Sequence, residues 1–165
     1  MQTGFFIAAT IALLATLRVV TSFKPVHALL YLITSLLAVA VVFYTLGAPF
    51  AAALEVIVYA GAIMVLFVFV VMLLNLDEAS EAQEHAWLRP RMWIGPGLLV
   101  LILLLELGWL LVVGERRDVP GGEVSAKAVG LALYGPYLLM VELASMLLLA
   151  GLVGAYHLAP KRDSR

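Results

Sequence analysis

The chain has 165 residues, of which 64% are hydrophobic and only 13% charged, with a net charge of −1. A soluble domain of that length cannot hide so much apolar surface, so composition leaves an integral membrane protein. The near-zero charge points to no nucleic-acid partner. The absence of cysteine excludes disulfides, thiolate metal sites and cysteine-ligated iron–sulfur clusters.

In chain order, five runs are long and apolar enough to cross a bilayer, which takes roughly 20 residues. The first is about 3–20, and it ends on Arg18 and the polar Thr21-Ser22-Phe23-Lys24-Pro25. No positive residue precedes it, the reverse of a cleavable signal, so it reads as a helix that stays. The second, 26–46, opens after Pro25, a good first-turn residue, and Gly47-Ala48-Pro49 breaks it. The third, 50–76, follows after a very short loop, so spans two and three form a hairpin. A polar loop, 77–91, carries Asp77, Glu78, Glu81, Glu84, Arg89 and Arg91. The fourth span is 93–113, with Trp93 and Trp109 placed as interface anchors. The loop 114–127 contains Pro120-Gly121-Gly122. A short interfacial helix over 125–134 is expected to break at Gly135-Pro136, and the fifth span is 135–157. The expected fold is all-α: a single membrane domain over 1–165, a bundle of five transmembrane helices.

Lysine and arginine set the orientation. With the N-terminus outside, the inner segments hold Arg18, Lys24, Arg89, Arg91, Lys161, Arg162 and Arg165, while the outer ones hold Arg116, Arg117 and Lys127. That asymmetry favours an outside N-terminus and an inside C-terminus. His27, His85 and His157 lie far apart and form no ligand-spaced pair, so no metal and no cofactor is expected on this chain alone.

Three carboxylates fall inside apolar spans: Glu55, Glu106 and Glu142. An ionised carboxylate at mid-membrane costs about 2.5–3.5 kcal/mol on insertion scales. Desolvation penalises the charged form of any such group, which can then load and release a proton. The plainer reading is an acid near a helix end that reaches the headgroups, and it weighs most on Glu106. With the N-terminus outside, all three would lie in the outer half of the bilayer and line a polar region. Tyr59 follows Glu55 by four residues and so shares its face of a regular helix. Gly61 either allows close helix packing or weakens the helix locally, where an extra residue per turn makes a π-bulge. Ala150/Gly154 and Gly151/Ala155 give the fifth span small residues at tight-contact spacing.

Three stretches carry a resemblance: Lys24-Pro25-Val26-His27-Ala28-Leu29-Leu30-Tyr31-Leu32, LEVIVYAGAIMVLFVFVVMLLNL at 54–76, and Val124–Gly130 followed by Gly135–Val153. Together they resemble the subunit J family of bacterial NADH–quinone oxidoreductase, respiratory complex I, whose mitochondrial counterpart is NADH dehydrogenase subunit 6. The resemblance covers essentially the whole chain. It implies a non-redox, multi-pass component of the proton-pumping membrane arm in the bacterial inner membrane. Its neighbours there would be other membrane-arm proteins, of the A, H, K and N types. It implies no cofactor on this chain, although the whole complex would use NADH, FMN, iron–sulfur clusters and quinone. It also implies a gate in the third helix, which changes between π-bulged and regular forms over Tyr59 to about Phe67, including Gly61, Met64 and Val65. Glu55 and Glu142 match family positions, and with Tyr59 they form the expected proton path. Glu106 matches no family acid. Two other readings remain beside this one: a subunit of a cation/proton antiporter complex, and a scaffold that moves nothing.

Overall fold

The computed structural model describes residues 2–22, 24–74, 90–113 and 122–158. Most of the two expected polar loops, with His85, Arg89, Arg116 and Arg117, lies outside the described residues, as do Asn75, Leu76 and the basic tail Lys161, Arg162 and Arg165. All elements among the described residues are helical, and five stretches are long and apolar enough to span a membrane: Thr3–Thr21, Pro25–Thr45, Pro49–Val71, Trp93–Val112 and Leu138–Leu158. The chain divides into two compact units, Met1–Val124 and Ser125–Arg165.

In the first unit, α1 (Gln2–Thr21) and α2 (Pro25–Thr45) form an antiparallel hairpin with the most extensive helix–helix contact among the described residues. Its seam is made of small residues: Ala8, Ala15 and Ala38 are wholly buried, with Ile11 and Val41 beside them. Small side chains let the helix axes approach, and dispersion then supplies the attraction that hydrocarbon solvent does not. Two hydroxyls lock the register. Ser35 Oγ donates to the Ala12 carbonyl at 3.2 Å and lies 2.8 Å from Thr16 Oγ1. With the serine proton so engaged, Thr16 is the donor in the second bond.

Pro25 opens α2 and Pro49 opens α3 (Pro49–Leu54), each at a first-turn position where the missing N–H is no loss. Between them Gly47 adopts φ +81°, a left-handed conformation that other residues rarely take, and reverses the chain. Its carbonyl accepts from Val124 N–H at 2.9 Å, which ties the segment after the fourth span to this turn. The third span is not one regular helix. It runs as α3, a π-helix over Glu55–Ile63, and α4 (Met64–Leu74). The fourth span, α5 (Pro90–Val113), packs on α1 and α2, and Leu103 completes the core with Ala8 and Ala38.

In the second unit, Ser125 caps α6 (Ala126–Leu133) by accepting from Ala128 N–H at 3.2 Å. The chain breaks at the expected Gly135-Pro136, but the final helix α7 (Leu138–Leu158) starts three residues later than Gly135. Pro136 has no N–H to continue a ladder, so residues 134–137 form a turn. Gly135 is required there, because a Cβ would lie 2.7 Å from the Leu131 carbonyl oxygen. Taken by itself, this unit has no buried residue among those described, and α7 presents leucines on all sides.

Candidate functional site

The π-helix is where the sequence departs most from a plain membrane span. Nine residues, EVIVYAGAI, carry the wide turn, and at its end Met64 N–H reaches the Tyr59 carbonyl five residues back. Gly61 sits where a side chain would crowd it: an added Cβ would lie 3.1 Å from the Val56 carbonyl oxygen, also five residues back. Glycine therefore favours the wide turn here by leaving that carbonyl unobstructed.

The π-turn re-aims everything that follows it. The inward stripe of the third span is Ala52, Glu55, Ala60 and Met64, the last only 2% exposed. A regular helix started at Ala52 and Glu55 would instead point Tyr59 and Ile63 inward, at three- and four-residue spacings. Tyr59 is 52% exposed. The expected shared face of Glu55 and Tyr59 is thus absent, because one extra residue in the turn rotates the helix by about 100°. The bulge also begins earlier than the resemblance implies. Tyr59 and Gly61 lie inside it, whereas Met64, Val65 and Phe67 follow in regular α4, with Val65 and Phe67 exposed.

The three intramembrane acids have different surroundings. Glu55 is buried at the start of the π-helix, in the region that contacts α2. Glu106, on α5, is half-buried, and neither carboxylate oxygen has a hydrogen-bond partner among the described residues. Its Oε1 lies over Gly4, where an added Cβ would come within 2.9 Å. Gly4 is the third residue of α1, so Glu106 sits level with the start of that helix. Glu142, in the other unit, has an exposed side chain on α7, and its carbonyl accepts from Ser145 Oγ at 2.7 Å.

The start of α1, the α2–α3 turn and the end of α5 share one end of the first unit. A cavity of about 330 Å³ lies there between α2, the third span and α5, bounded by Tyr44, Ala52, Val56, Leu103, Leu107 and Leu111 among others. Its walls are apolar and neither Glu55 nor Glu106 lines it, so it joins no acid to another. Sequence reasoning missed it, since no single stretch signals a gap between three helices. No group of three or more potential metal ligands occurs among the described residues.

Comparison with known proteins fits these features. Residues 15–158 match the family described as NADH-ubiquinone/plastoquinone oxidoreductase chain 6. The NADH-quinone oxidoreductase subunit J of Pseudomonas aeruginosa is 64% identical over 169 aligned residues, covering 100% of this chain and 99% of the relative. The Escherichia coli subunit J is 59% identical, covering 95% of this chain and 85% of the relative. That of Rhodobacter capsulatus is 38% identical, covering 92% and 78%. The chain therefore belongs to the chain 6 family of NADH-ubiquinone/plastoquinone oxidoreductase, with the bacterial subunit J proteins, as a multi-pass inner-membrane subunit of a larger redox enzyme and without a complete active site of its own.

Proposed function

We propose that this chain is a moving, non-redox part of the membrane arm, and that its third span gates the coupling of quinone reduction to proton translocation. The π-helix over Glu55–Ile63 carries the reading. Return of that segment to a regular helix would turn Tyr59 and Ile63 inward and carry Ala60 and Met64 out. A phenol would then stand one turn from Glu55, able to pass a hydrogen bond or hold a water. The bulky side chains of α4, Val65 and Phe67 among them, would rotate with it. Gly61 favours the wide turn and so sets the balance between the two forms.

Within this reading Glu55, Tyr59 and Glu142 belong to the proton path, while Glu106 stays beside it. The chain acts as a single membrane domain with its N-terminus outside and its C-terminus inside, as the lysine and arginine distribution favours. Its neighbours are other membrane-arm proteins, of the A, H, K and N types. The NADH, FMN, iron–sulfur clusters and quinone of the complex are bound elsewhere. The relatives' shared designation as subunits of NADH-quinone oxidoreductase supports this assembly.

Gly61→Val in the assembled complex tests the gate. A β-branched side chain at this position costs the wide turn about 1–3 kcal/mol in overpacking. Coupled NADH:quinone turnover and proton export should fall by roughly tenfold, with the amount of complex unchanged. Parental turnover and pumping in that variant would sink the gate and leave a scaffold.

A further inference from the structure

A second polar feature lies at the other end of the α1–α2 hairpin and has no part in the gate. There a cavity of about 250 Å³ is lined by Arg18, Thr21, Ser22, Lys24 and His27. Arg18 stands in the last turn of α1, and Lys24 occupies the position just before α2. The two candidate spans end and begin at Thr21 and Pro25, so this cavity sits where apolar helix gives way to the headgroup layer.

Among the described residues its charge is uncompensated. The first acidic residue of the chain is Glu55, so the hairpin holds no carboxylate at all. Among the described residues neither cation has an acidic partner and no acid lines the cavity. The start of α2 adds donors. Lys24 makes no side-chain cap and Pro25 has no N–H, which leaves the amides of Val26 and His27 directed out of the helix end. Of the polar side chains already present, Ser22 is only loosely engaged and Thr21 is bonded within its own helix. Ser22 Oγ lies 3.4 Å from both the Lys24 carbonyl and His27 Nδ1, while Thr21 Oγ1 donates to the Leu17 carbonyl at 2.9 Å.

We propose that this cavity, built from Arg18, Lys24, Ser22 and the first turn of α2, binds the phosphate of an anionic phospholipid headgroup. A guanidinium and an ammonium with free backbone amides form a donor set for phosphate oxygens. The position at the span ends puts lipid phosphate, rather than free phosphate, within reach.

The test is photo-cross-linking on the assembled complex in vesicles, with a phosphatidylglycerol that carries a diazirine next to its headgroup. Phosphatidylcholine with the same diazirine is the comparison. Labelled peptides covering residues 16–28 are quantified by mass spectrometry. Preferential labelling by phosphatidylglycerol that inorganic phosphate does not displace is the expected result. In R18Q/K24Q that labelling should fall by at least about fivefold, and two neutralised charges near the membrane surface allow a loss of up to roughly 30-fold. In R18K/K24R, which keeps one guanidinium, one ammonium and both charges, it should stay within about twofold of the parent. Equal labelling by the two lipids in the parent complex overturns the proposal, even if the neutral variant does not assemble. Displacement by inorganic phosphate overturns the lipid as occupant, and undiminished labelling in R18Q/K24Q overturns the site.

Discussion

The spans of the α1–α2 hairpin and the third span are all apolar enough to cross a membrane, and they behave differently. The hairpin buries wholly enclosed alanines along a seam and pins it with Thr16, Ser35 and the Ala12 carbonyl. The third span buries one stripe, Ala52, Glu55, Ala60 and Met64, and most of its other described side chains stay exposed. In the hairpin, packing leaves one register. In the third span, one extra residue in a turn decides which side chains face in. All three spans are apolar enough to cross a membrane, so that property does not account for the difference. What differs is whether neighbouring helices grip the surface tightly enough to forbid a rotation.

Enlarging an inward alanine in each region sharpens that contrast. Ala38→Leu places extra methylenes in a seam with no alternative register, at a cost of about 1–3 kcal/mol. It should lower the amount of assembled complex, or its thermal midpoint, more than any other change named here. Ala60→Leu makes an equal change in size, but the residue can leave the interface if the span becomes regular. Complex content should stay within about twofold while coupled turnover drops by roughly tenfold, the equivalent of ~1.4 kcal/mol against the π form. If Ala60→Leu instead abolished assembly as Ala38→Leu does, the two regions would be equally rigid and the comparison would break.

Smaller effects probe the fixed side. A Cβ at Gly95 would overlap the Tyr31 hydroxyl, and Tyr31 is buried against α5 and meets His27 edge to face. Gly95→Ala should destabilise the complex by about 1 kcal/mol, with Tyr31→Phe restoring most of the loss in a double-mutant cycle. Thr16→Val removes one interhelical hydrogen bond and should cost about 0.6 kcal/mol, read as a shift in the thermal midpoint. Glu106→Gln should be the mildest. Neither Glu106 oxygen has a partner among the described residues, so the neutral amide breaks no bond, and turnover should remain within about twofold of the parent. A large loss of pumping in that variant would place Glu106 in the proton path.

The spans were legible because each signal is local. Twenty apolar residues must cross a bilayer, and Pro25, Pro49 and Gly135-Pro136 mark ends for reasons contained in their own backbones. The resemblance pointed to the region around Tyr59 and Gly61, but neither it nor the spacing placed the register. An assumed regular period put Tyr59 beside Glu55, and the π-turn moved the phenol to the exposed side. The 330 Å³ cavity and the contact of Glu106 with Gly4 were illegible because each joins residues far apart in the chain.

The sequence by itself determined the membrane class, the five spans and the family, since composition, length and motif are properties of the chain read in order. Only tertiary structure decided which side of the third span faces its neighbours and which hydroxyls bind across the hairpin. It likewise gathered Arg18, Lys24 and the start of α2 around one cavity. These depend on rotation and on the separation of helix axes, and a helix fixes its own hydrogen bonds without fixing which of its faces meets another helix.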